Sequence, residues 1–158
     1  MNVHSAVFPN GDHANGAMWY NGTNEERPIV AGKKVEKGIL ERRDEILDLC
    51  VNKSKKFLAF LSADEHNFAF LEIKSDFPLY PKDYKLPQLK LSRTFYHINN
   101  GCGGSAPYAM LPTPWSSAFQ FFTEPPAVAL IDVNGKSVKL RAFNAETFGK
   151  ICEDIKLR

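Results

Sequence analysis

Residues 127–143 read Ala-Val-Ala-Leu-Ile-Asp-Val-Asn-Gly-Lys-Ser-Val-Lys-Leu-Arg-Ala-Phe, and this stretch has the clearest structural signal in the sequence. The Asn134-Gly135 pair between two runs of strand formers predicts a β-hairpin, because both turn positions need a positive φ. We therefore expect strands at 127–133 and 136–143. Alternation along the second strand predicts one buried and one solvated face. The first strand is almost continuously apolar, which is typical of a strand covered on both faces.

The segment after the hairpin predicts a closing helix over 144–156. Asn144 is suited to cap this helix, and Phe148, Ile151, Cys152 and Ile155 recur at helical spacing. We expect the helix to pack on the sheet that contains the hairpin.

Earlier in the chain, apolar periodicity predicts one helix and four strands, at 36–51, 57–62, 68–73, 88–98 and 116–123. The first two of these strands are apolar on both faces and are joined by five residues. They predict an antiparallel hairpin in the middle of a sheet. The fold class that follows is α+β: a single domain over 1–158, with a mixed or mainly antiparallel sheet and two main helices packed on it. Residues 1–34 are expected to form an irregular N-terminal hairpin region.

Composition limits the classes of function. A length of 158 residues, 44% hydrophobic residues and twelve Phe predict one domain with a substantial core. Twenty basic against eighteen acidic residues give no indication of nucleic acid or a membrane as partner. The start of the chain lacks a signal-peptide pattern, and no long apolar run predicts a membrane span. Three cysteines without close spacing indicate no disulfide framework, so we expect a reducing, cytoplasmic setting.

One loop carries the residue types of a thiol site. Cys102 lies between glycines, which let the backbone approach a ligand, and His97 precedes it at the end of a predicted strand. This arrangement suggests His97 as the base for a Cys102 nucleophile, while the simpler interpretation is a flexible loop with an incidental thiol. In either case we expect Cys102 to be exposed. Cys50 and Cys152, on apolar helix faces, should be shielded.

Two other sets of residues resemble metal ligands. Asp64-Glu65-His66 are adjacent in a loop, where three neighbours rarely converge on one ion, and His4 and His13 with Asp12 lie across an N-terminal turn. Surface side chains are the simpler interpretation of both sets, so no metal and no cofactor is predicted. The phosphate-loop, zinc-protease and serine-hydrolase motifs are also absent.

The C-terminal unit resembles the end of a thioredoxin-like domain: Pro126, an apolar strand, a tight turn, a second strand and the predicted helix. The resemblance implies a cis peptide bond before Pro126 and a last helix packed on the sheet. It also implies an oxidoreductase or adaptor function, although the chain has no Cys-x-x-Cys pair. It covers about a fifth of the chain.

Large aromatic residues in the predicted loops favour a different function. Aromatic side chains are enriched where proteins bind other proteins. We therefore expect, first, a non-catalytic interaction or accessory protein with a protein partner of unknown identity; the alternatives are the thioredoxin-like activity and a Cys102 thiol enzyme. The candidate contact residues are Trp19, Tyr20, Tyr80, Tyr84, Tyr108 and Trp115.

Overall fold

The structure is a computed structural model that describes residues 1–20, 29–30 and 32–158. The Asn21-Gly22 pair, which the sequence marks as a turn, lies outside the described residues. Within these residues there is one α-helix, α1, Ile39–Leu47, which continues as a π-helical segment at Asp48–Lys53. Short 3-10 turns occupy Asn15–Ala17 and Ser116–Ala118. The described strands are β1 Ile29–Val30, β2 Lys33–Lys34, β3 Ala59–Ser62, β4 Phe68–Ile73, β5 Phe95–Asn100, β6 Phe119–Thr123, β7 Ala127–Asn134, β8 Ser137–Asn144 and β9 Ile155–Lys156.

The strands form two main sheets instead of the one sheet predicted. The first has the order β3-β5-β4-β6, with β3 parallel to β5 and the other pairs antiparallel. The second is antiparallel, in the order β7-β8-β9. A short pair, β1 with β2, lies near the N-terminus. The α+β class is thus confirmed, with strands predominating.

The predicted hairpin of 57–62 with 68–73 is wrong, because β5 lies between β3 and β4. The connection between these two strands is tied to β5 by a buried amide. The Asn99 side chain donates hydrogen bonds to the carbonyl oxygens of Glu65 (2.7 Å) and Asn67 (2.9 Å). A strand that is apolar on both faces can therefore indicate a central position in a sheet without indicating its neighbour.

The first sheet is the middle of three layers. On one face, α1 contributes Leu40 and Leu47 to a core with Phe60, Leu71 and Phe95. The other face packs against the second sheet; Phe68, Phe70, Ile98, Leu140 and Ala142 lie in this second core. The period-2 alternation of the central strands divides their side chains between the two cores.

The helix predictions are half right. The predicted helix over 36–51 exists but begins at Ile39, after Gly38. The predicted helix over 144–156 is wrong. The Asn144 side chain does accept hydrogen bonds from the amides of Glu146 and Thr147, both at 2.9 Å. The chain then turns at Phe148, whose φ is 57°, and returns along β8 to form β9.

The C-terminal hairpin is confirmed, with a turn shifted by one residue. Asn134 pairs with Ser137, so the loop residues are Gly135 and Lys136, and Gly135 has a φ of 58°. The remaining strand predictions are partly right. The strand predicted at 88–98 begins only at Phe95, and the one predicted at 116–123 begins at Phe119 after a 3-10 turn. No helix in the described ranges is long and apolar enough to cross a membrane.

Candidate interaction surface

The Cys102–His97 pair suggested by the sequence is not assembled. His97 is fully buried in the core beneath α1, with its ring 6.1 Å from that of Phe8, and burial lowers its pKa to about 3. Cys102 belongs to the core between the two sheets. The imidazole and the thiol thus face opposite sides of the first sheet, and the imidazole is neutral.

Cys102 is buried rather than exposed. The Ala127 amide donates a hydrogen bond to its Sγ at 3.1 Å, and burial raises the pKa of the thiol. Cys50 and Cys152, expected to be shielded, are each partly exposed. The expected order of exposure is therefore reversed, because the start of β7 covers the glycine-flanked thiol.

The partner of His97 is a serine on β3. Ser62 Oγ lies 2.7 Å from His97 Nε2 and 3.0 Å from Asn99 Oδ1. A serine and a histidine at hydrogen-bond distance meet one geometric requirement of nucleophilic catalysis. All three residues are buried, however, and none lines either of the two clefts described below. We interpret this network as a structural link between β3 and β5.

Most of the candidate contact aromatics belong to the core. Trp115 is fully buried and donates a hydrogen bond from Nε1 to the carbonyl oxygen of Pro9 at 2.8 Å. Tyr80 and Tyr84 are buried with stacked rings, and Tyr20 packs edge-on against Tyr84. Large aromatic side chains in polar stretches of sequence thus cover α1 and the first sheet here, and do not form one contact surface.

Trp19 and Tyr108 lie near the N-terminal loops. Trp19 lines a cleft of about 460 Å³ together with His13, Arg42 and Asp64. Asp64 Oδ1 is 3.3 Å from His4 Nε2 and 3.6 Å from His13 Nε2. A second, more open cleft of about 380 Å³ lies beside β9 and Cys152.

The three adjacent residues of the suggested metal patch diverge. Asp64 faces the two N-terminal histidines, Glu65 is buried, and His66 stacks on Tyr108 with ring centroids 4.1 Å apart. Within the described residues, no group of three or more His, Cys, Asp or Glu side chains is arranged to hold a metal ion.

The surface with the clearest binding character is β7, which the sequence assigned to the interior. β7 is an edge strand of eight residues, and only β8 pairs with it among the described strands. Val128, Leu130, Ile131 and Val133 are between 37% and 69% exposed. A continuous apolar strand is typical of a buried position, but an uncovered edge strand with the same pattern is a site for pairing with another chain.

The pairing of β8 shows which backbone groups of β7 are open. The backbone groups of Val138 and Ala142 form hydrogen bonds with residues 151–158, on the side of β8 opposite to β7. In an antiparallel ladder, two directly opposite residues either exchange hydrogen bonds with each other or both direct their N–H and C=O groups away from each other. The register partners of these two residues are Val133 and Ala129, and Ile131 lies midway between them. The N–H and C=O groups of Ala129, Ile131 and Val133 therefore point outward.

The usual protections of an edge strand are missing from β7. It contains no Lys, Arg or Pro and pairs with β8 without a bulge. Its one charged residue, Asp132, accepts a hydrogen bond from Arg141 at 2.6 Å. Beyond the end of β8, Phe148 is 77% exposed and adds an aromatic ring to the surface of this sheet. We define the β7 surface as residues 128–134 with their outward backbone groups.

Comparisons with known proteins identify no family: no protein-family model matches the chain, and neither curated proteins nor solved structures include a significant match.

Proposed function

We propose that this chain is a non-catalytic interaction protein that binds a protein partner by adding a strand to β7. The observation that carries the proposal is the combination, on one edge strand, of four exposed aliphatic side chains with outward backbone donors and acceptors. Strand addition obtains affinity from main-chain hydrogen bonds and specificity from alternate side chains. Each such bond contributes about 0.5–1.5 kcal/mol net, and covering the aliphatic side chains adds to this.

The alternative activities gain no support from the geometry. A thiol enzyme would need an accessible Cys102, but this thiol is buried and its pKa is raised. For the thioredoxin-like alternative, the peptide bond before Pro126 is trans, and a strand stands where the closing helix was expected. The three cysteines are free, which supports a reducing, cytoplasmic setting as part of the proposal.

Site-specific photo-crosslinking in cells tests the proposal. A photoreactive residue at Val133 should give protein adducts, because this side chain is 69% exposed on the proposed surface. The matched control is the same residue at Leu49, which is 59% exposed on the π-helical segment. Mass spectrometry of the adducts would identify the bound protein. Equal labelling at the two positions, or no adduct at Val133, would contradict the proposal.

A further inference from the structure

We infer that the strand added to β7 is β7 of a second copy of this chain, antiparallel to the first about a two-fold axis at Ile131. This inference rests on the proposed function and names the partner of the same surface. It follows from three features of β7: the extent of its open edge, the order of its side chains and the position of its one charge.

The open edge has a definite start. Ala127 bonds outward like the other odd-numbered residues of β7, but its amide is already donated to Cys102 Sγ. Pro126, before it, has no N–H to donate. The outward groups that remain belong to Ala129, Ile131 and Val133, so Ile131 is the centre of the open edge.

Backbone bonding favours one symmetric register. In an antiparallel pair, two residues that bond toward each other exchange two hydrogen bonds. When the pairing is centred on Ile131, Ile131 bonds to Ile131 of the other copy, and Ala129 of each copy bonds to Val133 of the other. All three outward residues of each strand are then hydrogen-bonded. Centred on Leu130, the pairing would place Val133 opposite Ala127, whose amide is occupied.

Charge excludes the register on the other side. Centred on Asp132, the pairing would set the two Asp132 carboxylates directly opposite each other, which is destabilising. Centred on Ile131, each Asp132 lies opposite Leu130 of the other copy. Leu130 is also the register partner of Arg141, and Asp132 that of Lys139. On the outer face, each of the two rows nearest the axis then reads Arg141, Leu130, Asp132 and Lys139, with no like charges adjacent.

The rows on the core-facing side are also self-complementary. On β8, Leu140 is the register partner of Ile131, while Ala142 and Val138 are those of Ala129 and Val133. The central row therefore contains only Leu140 and Ile131 from each copy. The flanking rows contain only Ala142, Ala129, Val133 and Val138. Pairing extends an aliphatic stripe across both molecules and covers Ile131 and Val133, which the single chain leaves exposed.

Sedimentation equilibrium of the purified chain from about 1 μM to about 1 mM tests the association. We expect wild type to dimerise, and Val133→Lys to raise the dissociation constant at least about tenfold by placing a charge in an aliphatic row. Ile131→Pro should also prevent dimerisation, because it removes an outward donor and leaves the pairing with β8 intact. Leu49→Lys is the matched control and should dimerise like wild type. A monomeric wild type, or equal dimerisation of all four proteins, would overturn the inference.

Disulfide trapping tests the register. Leu130 of one copy and Asp132 of the other would form a non-hydrogen-bonded pair with Cα atoms about 4.5 Å apart, which permits a disulfide. Leu130→Cys and Asp132→Cys are made in a background carrying Cys50→Ser and Cys152→Ser, and are then mixed under oxidation. We expect a disulfide between the two variants and none within Leu130→Cys alone. A disulfide in Leu130→Cys alone, or none in the mixture, would overturn the register.

The two proposals fail in different ways. If wild type is monomeric while the residue at Val133 crosslinks to a different protein, the second copy is excluded and the proposed function stands. If Val133 gives neither a self-adduct nor any other adduct, both fail. An adduct between two copies of this chain, lost on Ile131→Pro, supports both.

Discussion

The outer edge of β3 is covered by residues 1–4 of the chain itself, whereas the outer edge of β7 is open in the described structure. Along β3, the amide of Val3 donates to Leu61 O at 2.9 Å and the amide of Leu61 to Met1 O at 2.8 Å. The N-terminal amine donates to Ala59 O at 2.9 Å. Both edges present the same backbone chemistry, so the difference shows that the chain protects one edge and leaves the other available.

The strongest test of the open edge compares prolines at neighbouring positions of β7. Leu130 bonds toward β8 and Ile131 bonds outward, as inferred from the β8 pairing. Leu130→Pro should therefore remove a ladder hydrogen bond, leave its partner on β8 unsatisfied, and cost up to about 3 kcal/mol of the free energy of unfolding. Ile131→Pro should cost much less in the monomer, since proline is tolerated where the missing N–H faces solvent.

Urea denaturation of the two variants, at concentrations where the chain is monomeric, measures this difference. Equal losses of stability would mean that the outward amide of Ile131 already has a partner within the chain. The open edge, and both proposals with it, would then be withdrawn.

Removing the cover from β3 should convert the protected edge into an open one. Deletion of residues 1–4 removes five backbone hydrogen bonds to residues 59–64. It also removes Val3, which packs against the first core. We expect a loss of stability on the order of 2 kcal/mol, because these bonds are partly solvated. Urea denaturation measures the loss.

The truncated protein should also self-associate even when it carries Val133→Lys, because β3 then provides a second unpaired edge. If it remains as monomeric as full-length Val133→Lys, the N-terminal segment is not what protects this sheet.

The sequence predicted what local signals specify. The Asn134-Gly135 pair located the C-terminal hairpin, and the apolar periodicity located α1. Arg43 is not part of that apolar period, yet its guanidinium is buried against Phe8, Tyr80 and Trp115. Such burial depends on aromatic residues distant in sequence, which a helical period does not contain.

Outside the C-terminal hairpin, the observed pairing of strands was not predicted, nor was the exposure of β7. β5 lies between β3 and β4, where Asn99 donates to the loop that contains Glu65 and Asn67, a contact between residues more than thirty positions apart that no local pattern contains. The exposure of β7 follows from the absence of a second neighbour among the described strands, while its composition is that of a buried strand. The predicted C-terminal helix had a valid capping residue, but Ile151, Cys152 and Ile155 instead pack against the second core from a non-helical segment, and Phe148 is exposed.

The stability of the protein should also depend on pH, because His97 is buried in the first sheet. The pKa of buried His97 is lowered to about 3 in the folded state from 6.5. Between these values the unfolded chain binds a proton that the folded chain does not, so His97 lowers stability as the pH falls below about 6.5. At pH 5.5 this amounts to about 1 kcal/mol relative to neutral pH.

The difference in stability between wild type and His97→Gln, followed from pH 7 to pH 5.5, isolates this effect from the carboxylates. Glutamine retains a hydrogen-bonding group toward Ser62 and does not titrate. The stability of the variant should fall less than that of wild type over this interval. Parallel curves would show that His97 is not held neutral, and would remove the argument that β3 and β5 are linked by an uncharged Ser62–His97 pair.

The smallest effect on folding is expected from Val133→Lys, although this substitution should weaken binding strongly. Val133→Lys changes a largely exposed side chain, so its free energy of unfolding should stay within about 0.5 kcal/mol of wild type, as should that of Leu49→Lys.

The two edges should nevertheless differ in amide hydrogen exchange in the Val133→Lys monomer. The amides of Leu61 and Ala63 donate to Met1 and His4 and should be protected. The outward amides of Ala129 and Ile131 should exchange near the rate of an unstructured chain, while that of Leu130 is protected by β8. In wild type at high concentration, the Ala129 and Ile131 amides should become protected as the second strand binds. Protection of these two amides in the Val133→Lys monomer would show that another part of the chain already covers β7.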